Sequence, residues 1–302
     1  MLTLNKKKSI KMLTNPHLLL SLSALFWGFN AIAGRSAVGE VSPLLIVSCR
    51  WLGVSIFLTF LCRKELFFAF KKLKTNFKWF VIMGLFGFTG FNSLYYISAH
   101  HTIAINLGIV QSTMPAFIII ISMFWLKTKI VFMQLVGLLV TFFGVLIIIC
   151  NGDLESLLNL KINKGDLIMT IACVFYAIYA VGLKKKPKLG NLLLITFFSY
   201  IAFIGSIPGL FYEIASNSVL LPTSKGLLIL MIIIIFPSFL AQIFFIKGVE
   251  GLGPSTSGLY VNLVPIFTAI LAVLILDESF YFFHLLSLLI VFFGIYLFER
   301  KY

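Results

Sequence analysis

Long apolar segments recur along the whole chain and are separated by short polar segments. Each apolar segment has about 20 residues, the length that a helix needs to cross roughly 30 Å of hydrocarbon. Charged and turn-forming residues mark the ends of these segments. The predicted helices cover residues 18–37, 44–62, 79–99, 105–126, 131–150, 166–183, 191–212, 226–247, 254–276 and 281–298. The pattern therefore predicts an all-α polytopic membrane protein with ten transmembrane helices.

The composition agrees with this pattern. Of the 302 residues, 60% are hydrophobic and 11% are charged, and the mean hydropathy is +1.07. Soluble domains have about half apolar and a quarter charged residues, so a water-soluble globule could not bury this many apolar side chains. The polar segments between the predicted helices are short, which excludes a catalytic domain inserted between them.

Basic residues are concentrated on one side of the predicted bundle. The formal net charge is +14, and if the N-terminus is cytoplasmic, most Lys and Arg residues lie in cytoplasmic segments. This asymmetry follows the positive-inside rule and predicts an inner-membrane protein with both termini in the cytoplasm. The basic excess then orients the chain in anionic lipid. The lipid bilayer is therefore the expected partner, and no nucleic-acid partner is expected.

Motifs for catalysis and for metal binding are missing from the sequence. The four cysteines lie in apolar segments without the paired short spacing of a disulfide or metal site, which is typical of small core residues. The sequence has no H-E-x-x-H, no G-x-S-x-G and no pair of intramembrane aspartates. We therefore expect no catalytic residue, metal or cofactor. A membrane receptor or a membrane enzyme remains the alternative class.

The two halves of the chain resemble each other. At a constant offset of 150 residues, residues 106–129 align without a gap with residues 256–279. Each half contains five predicted helices, and because five is odd, the second half must enter the membrane from the opposite side. Inverted repeats of this kind are common in secondary transporters, with substrate held where the halves meet. The sequence predicts two inverted five-helix repeats, at residues 18–150 and 166–298.

Several motifs resemble one known family. The segments "ALFWGFNAIAGR", "SPLLIVSCRWLG" and "GIVQSTMPAF" in the first half and "GLGPSTSGLYVNLVPIFTAILAVLILDES" in the second are similar to EamA-type permeases of the drug/metabolite transporter (DMT) superfamily. The resemblance implies ten helices in an inverted repeat and transport of a small-molecule substrate, often amino acids or related compounds, frequently outward. We expect a metabolite exporter that works by alternating access. Import of a nutrient or nucleotide-like metabolite is the alternative.

Two prolines and a set of polar side chains form the predicted substrate site. Pro115 and Pro265 would interrupt helices near the membrane centre, where irregular backbone is tolerated only against protein or a watery cavity. Gln111 and Asn262 share helix faces with these prolines. The other candidates are amides, a serine and polar-tipped aromatic residues: Trp27, Asn30, Asn92, Tyr95, Tyr96, Tyr176, Tyr179, Ser238 and Gln242. A packing kink is the alternative role for the prolines, and an interfacial anchor is the alternative for the aromatic residues.

Arg50 is the most informative charge. It lies inside the second predicted helix with no acid nearby in sequence, and an intramembrane ionisable residue normally faces a cavity, a partner or the interface. Substrate-carboxylate binding and a structural role through snorkelling or helix-end carbonyls both remain open. No Asp or Glu lies in the middle of a predicted helix, so an internal carboxylate for proton coupling is missing. The oligomeric state also remains open.

Overall fold

The computed structural model describes residues 15–127, 131–149, 152–153 and 163–299. The regular secondary structure of these residues is helical, and seven of their helices are long and apolar enough to cross a membrane. These seven are Pro16–Ser36, Pro43–Leu61, Phe77–Ala99, Ala104–Leu126, Lys164–Lys185, Asn191–Ala215 and Ser224–Gly248. Shorter apolar helical segments are Leu135–Ile148, Leu263–Leu276 and Phe282–Gly294. The prediction of an all-α polytopic membrane protein is confirmed.

We number the helices in chain order. They are α1 (Pro16–Ser36), α2 (Pro43–Leu61), α3 (Arg63–Thr75), α4 (Phe77–Ala99), α5 (Ala104–Leu126), α6 (Phe132–Ile149), α7 (Lys164–Gly182), α8 (Asn191–Ala215), α9 (Ser224–Ile233, Ile234–Leu240 and Ala241–Val261), α10 (Leu263–Leu276) and α11 (Phe282–Glu299).

Helix α3 is amphipathic and was not expected from the pattern of long apolar segments. Its Leu66 and Ala69 are buried, whereas lysines occupy the opposite positions. A basic helix with one apolar face is typical of the membrane interface. The apolar face of this segment is too narrow to raise its mean hydropathy, so the apolar pattern predicts a polar connection here.

A second difference concerns the segment after Lys247, where the sequence analysis expected a loop before residue 254. The segment is helical throughout Ala241–Val261. Two of its glycines serve close packing rather than helix termination, because a Cβ at Gly248 would meet the side chain of Leu20, and one at Gly251 would meet Pro16. Glycine was therefore a misleading boundary signal here.

Helix α5 is interrupted in its middle. Ala104–Gln111 ends with the backbone N–H groups of Ser112 and Thr113 donating to carbonyls three residues earlier, and a new helical segment begins at Met114. Pro115 lies in the first turn of that segment, where its missing N–H has no helical partner to lose. A matching interruption at Asn262 separates α9 from α10, with Pro265 in the first turn of α10. Both interruptions agree with the positions that the prolines predict.

Helices of the first half pack mainly against helices of the second half. Helix α2 packs along α8 and α6 packs along α11, while α1 packs against α9 and α10, and α7 packs against α4 and α5. Helices α6 and α11 approach each other closely at Gly294. A Cβ at this position would lie 2.7 Å from the Gly137 carbonyl oxygen. The polar side chains in the middle of α1, α2, α4 and α5 consequently point into the protein rather than into lipid.

Candidate functional site

A small cavity lies among α1, α2, α4, α5, α7 and α9. Its volume is about 30 Å³, which is enough for one or two water molecules. Amides, aromatic rings and one arginine form most of its wall. The lining residues are Trp27, Asn30, Arg50, Trp51, Gly87, Phe88, Phe91, Asn92, Tyr95, Gln111, Met114, Tyr176, Gln242 and Val261.

The cavity brings together many residues that the sequence analysis selected. These are Trp27, Asn30, Arg50, Asn92, Tyr95, Gln111, Tyr176 and Gln242. The structure adds apolar and small residues that the sequence analysis did not select: Trp51, Gly87, Phe88, Phe91, Met114 and Val261. Nothing in an apolar segment distinguishes an aromatic ring that faces a cavity from one that faces a helix, so these additions lacked a sequence signal.

Two predicted tyrosines lie directly behind the cavity wall. The Tyr96 hydroxyl donates to Asn30 Oδ1 at 2.8 Å and lies 2.9 Å from Arg50 Nη1. The Tyr179 ring packs edge-on against Phe88, with ring centroids 5.4 Å apart. Both tyrosines are buried and position residues of the wall instead of lining the cavity.

The remaining predicted residues lie farther from the cavity. Pro115 and Pro265 lie in the first turns of their helical segments, and neither lines the cavity. The Ser238 hydroxyl donates to the Ile233 carbonyl oxygen at 2.5 Å within its own helix. Asn262 lies at the interruption before α10, and its buried Oδ1 has no hydrogen-bond partner among the described residues. In the second half, the cavity is lined by Val261 where the sequence analysis expected Asn262.

Arg50 is buried, with 3% of its surface exposed, and its described hydrogen bonds go to neutral groups. Its Nη1 lies 2.6 Å from Asn92 Oδ1 and 3.5 Å from Asn30 Oδ1. The guanidinium carbon lies 4.9 Å from the centre of the Trp51 ring. No carboxylate of the described residues lies within 4 Å of the guanidinium group. The cavity therefore contains a positive charge without a nearby described counterion.

Two buried N–H groups of residues that line the cavity have no hydrogen-bond partner among the described residues. These are Nε of Arg50 and Nε1 of Trp51. A buried donor without an acceptor is unfavourable by about 1–3 kcal/mol, and buried polar groups in native proteins are rarely left so. An acceptor that enters the cavity would satisfy these groups.

Helix α4 and helix α9 each contain a π-helical turn, and residues of the α4 turn line the cavity. The turns are Leu85–Gly90 and Ile234–Leu240. Such turns widen a helix locally and are frequent at functional sites. Gly87 lies in the first turn and lines the cavity, and a Cβ there would lie 2.7 Å from Tyr179 Cβ. The turn therefore brings the α4 backbone close to α7.

Carboxylates join the two halves at one end of the bundle. Glu213 of α8 accepts from the backbone N–H of Leu44 at 2.9 Å and of Leu45 at 3.1 Å, and from the Ser42 hydroxyl at 2.8 Å. These N–H groups open α2, and helix N-termini favour negative charge. Glu213 has 4% of its surface exposed. It is thus a buried cap supplied to a first-half helix by the second half.

Glu278 repeats this arrangement, and Asp166 joins the two halves through side-chain hydrogen bonds. Glu278 accepts from the N–H groups of Ala104 at 2.8 Å and Ile105 at 3.1 Å, which open α5. Asp166 accepts from the Thr102 hydroxyl at 2.6 Å and from Asn106 Nδ2 at 3.1 Å. No signal in the sequence marks these contacts of the acids, because their partners are far away in the chain. They lie at helix ends, in agreement with the expectation that no acid occupies the middle of a span.

The same end of the bundle carries a partly buried histidine. His100 follows α4, and its Nε2 has no hydrogen-bond partner among the described residues. Burial lowers the pKa of His100 below its usual 6.5, and its neighbours His101 and Arg35 lower this pKa further. His100 therefore favours its neutral form in the folded protein.

Comparison with known proteins identifies the family. The model of the EamA-like transporter family matches residues 14–150 and again residues 163–300, which together make up most of the chain. The chain belongs to the EamA-like transporter family. It is accordingly a multi-pass membrane transporter, and the cavity and the carboxylate caps lie within the matched regions.

Relatives of this EamA-like transporter occur in bacteria and archaea. The uncharacterized transporter YyaM of Bacillus subtilis is 26% identical over 85% of this chain and 85% of its own length. An uncharacterized transporter of Archaeoglobus fulgidus is 26% identical over 94% of this chain and 97% of its own length. One from Buchnera aphidicola subsp. Schizaphis graminum is 32% identical over 66% of this chain and 64% of its own. These names describe transport without a substrate.

A solved crystal structure has the same fold as this EamA-like transporter. It superimposes with a TM-score of 0.63 over 94% of this chain and 96% of the other, at 14% sequence identity. At this identity the likeness establishes the fold alone. Within the described residues, no group of three or more His, Cys, Asp or Glu side chains could hold a metal ion.

Proposed function

We propose that this EamA-like transporter moves small metabolites across the inner membrane by alternating access, and that it exports amino acids or related compounds. The observation that carries the proposal is the polar cavity at the contact between the two halves of the chain. Trp27, Arg50 and Gln111 enter it from the first half, and Tyr176 and Gln242 enter it from the second. Secondary transporters built from repeats hold substrate at such a contact.

An inverted repeat of two five-helix units, at residues 18–150 and 166–298, is part of this proposal. Local features that recur at an offset of 150 residues support it. Lys127 ends α5 with a left-handed φ of 54°, and Asp277 ends α10 with a φ of 53°. The π-helical turns of α4 and α9 recur at nearly the same offset. The reciprocal packing of α1 on α9 and α10, and of α7 on α4 and α5, is also what two-fold pseudosymmetry requires.

The size of the cavity supports a closed state. Binding pockets for small molecules have volumes of about 300–1,000 Å³, whereas this cavity has about 30 Å³. A metabolite therefore requires movement of the surrounding helices. Because carboxylates of one half cap helices of the other half at one end, opening at that end must break these hydrogen bonds. Alternating access supplies such a movement.

The proposed orientation places the Glu213 and Glu278 end outside the cell. This follows from the lysine-rich segments, which lie at the opposite end and satisfy the positive-inside rule. The termini are then cytoplasmic. Import of a nutrient or nucleotide-like metabolite is the second candidate, because the same cavity and the same movement serve either direction.

Transport in liposomes tests the proposal. Purified protein is reconstituted, a pool of metabolites is applied to either side, and solutes that cross are measured by mass spectrometry. We expect at least one solute to cross faster than in protein-free vesicles, and Gln111→Ala and Gln242→Ala to slow it. Asn76→Ala, which removes a partly exposed amide away from the cavity, is the control and leaves the rate unchanged. If no solute crosses faster than in empty vesicles, the transport proposal is wrong.

A further inference from the structure

The charge of Arg50 is permanent. Guanidinium groups stay protonated in proteins, so burial cannot be relieved by loss of a proton. Removing an isolated charge from water is unfavourable by several kcal/mol unless another charge balances it. Among the described residues, the partners of Arg50 are Asn30, Asn92 and Tyr96, and all are neutral. The described residues therefore leave the charge of Arg50 without a counterion.

The donor groups of Arg50 are also only partly used. Its hydrogen bonds to described residues all involve Nη1, while Nε has no partner. The adjacent Trp51 contributes a second unpaired donor, Nε1, and the guanidinium carbon lies 4.9 Å from the Trp51 ring. A carboxylate has two acceptor oxygens and no donor, and it forms the strongest hydrogen bonds with guanidinium groups. These two N–H groups match an anionic acceptor.

The other residues that line the cavity add no charge. They are amides, aromatic rings, glycine, methionine and valine, and none is Asp or Glu. The Asn30 and Asn92 amide oxygens already face Arg50. A ligand ammonium group would therefore meet a positive charge with no carboxylate to balance it. Aromatic walls formed by Trp27, Phe88, Phe91, Tyr95 and Tyr176 suit the apolar remainder of a solute.

We infer that the cavity binds a net-anionic carboxylate metabolite, with the carboxylate held by Arg50 and Trp51, and that it favours this charge type over zwitterions, neutral solutes and cations. Among amino acids and related compounds, this narrows the proposed substrates to the acidic ones and to derivatives without a free amine. The inference rests on the proposed transport function and specifies the substrate class of the same site. The ionised carboxylate of such a ligand balances the positive charge of Arg50, for which the described residues supply no counterion.

Ligand capture from a metabolite pool tests this substrate class. Purified wild-type protein is incubated with a pool that contains carboxylic acids, their amides, amino acids and amines, and the retained solutes are identified by native mass spectrometry. We expect retained solutes to be acids of net negative charge. Arg50→Gln should weaken their binding roughly 10- to 100-fold, because it removes a charge-assisted hydrogen bond. Arg50→Lys should recover part of this loss.

Asn92→Asp separates anion binding from a structural role of Arg50. The substitution preserves the shape of the side chain and places a carboxylate 2.6 Å from Nη1, so it supplies an internal counterion. We expect the preference for an acid over its amide to disappear, while size-exclusion elution and helical circular dichroism stay unchanged. Asn76→Asp makes the same chemical change at a partly exposed site outside the cavity and should leave that preference intact.

Three results would overturn the inference: retention of amides, amines or zwitterionic amino acids as strongly as net-anionic acids, retention of no net-anionic acid at all, or undiminished acid binding by both Arg50→Gln and Asn92→Asp. Failure of the transport proposal is recognised separately. Transport of solutes without an acidic group would contradict the substrate class and leave transport standing, whereas captured acids that never cross liposomes would contradict transport alone.

Discussion

Glu278 offers a direct way to shift the balance between closed and open states. It joins the second half to the N-terminus of α5, and this joint must break when the cavity opens at that end. The Glu278→Gln variant keeps one acceptor oxygen but loses the negative charge and replaces the other oxygen with an N–H₂ group. That group faces a backbone N–H, with which it cannot bond.

The size of the effect follows from the two hydrogen bonds of 2.8 and 3.1 Å. Charged hydrogen bonds contribute about 1.5–3 kcal/mol and neutral ones about 0.5–1.5 kcal/mol, and a charge at a helix N-terminus adds about 0.3–1 kcal/mol. Because Glu278 is only partly buried, we take about 2 kcal/mol as the loss to the closed state. This corresponds to a roughly 30-fold shift toward the state that is open outside.

A reporter cysteine measures this shift. Gln111→Cys, in a chain whose native cysteines are replaced, puts a thiol in the cavity wall. A membrane-impermeant maleimide is then added to whole cells. We expect Glu278→Gln to raise the labelling rate by about an order of magnitude or more. Glu65→Gln neutralises an exposed acid on α3 at the opposite end and is the matched control.

Two outcomes of the labelling experiment would refute the reasoning. An unchanged rate in correctly folded Glu278→Gln protein would mean that the cap does not hold the outer end closed. An equal increase in the Glu65→Gln control would mean that the acceleration comes from general loosening rather than from loss of the cap.

Three further predictions concern stability. Gly294→Ala should lower the free energy of unfolding by about 1–3 kcal/mol, because its Cβ would lie 2.7 Å from the Gly137 carbonyl oxygen, whereas Gly190→Ala, with open space around it, should be nearly neutral in the same thermal unfolding assay. Lys127→Gly should raise the melting temperature, since glycine adopts a φ of 54° without the strain of a side chain, and a lower melting temperature would contradict this. Folding lowers the pKa of His100, so the unfolded chain binds more protons than the folded one, and the free energy of unfolding should fall as the pH drops below about 6.5. The His100→Gln variant should show a weaker dependence of the melting temperature on pH. An unchanged dependence would exclude His100 as its source.

Much of the fold could be predicted from the apolar pattern. A helix in hydrocarbon must satisfy its own backbone hydrogen bonds, so the length and polarity of each segment constrain it strongly. The interruptions at Ser112 and Asn262 were also predictable, because proline removes a backbone donor. Helix α3 and the helical continuation after Lys247 could not be predicted in this way. A helix with a narrow apolar face, and a helix whose glycines serve packing, have the same residue composition as a loop.

The candidate site was predictable in part. Polar side chains such as Asn30, Asn92 and Gln111 stand out in apolar segments because exposure to lipid is unfavourable. Val261 lies 150 residues after Gln111, so the repeat places it at the equivalent position, but valine lacks the polar side chain that made Asn262 a candidate. Aromatic wall residues such as Phe88 have the same signature in any apolar setting.

The sequence by itself determined that the chain is helical and embedded in a membrane, that its halves resemble each other, and that Arg50 is a charge in an apolar segment. These properties depend on composition and on spacings within one helix. Only the tertiary structure decided that Arg50 faces neutral partners and that Glu213 and Glu278 cap helices of the other half. Such contacts join residues far apart in the chain, so their existence depends on how the helices pack.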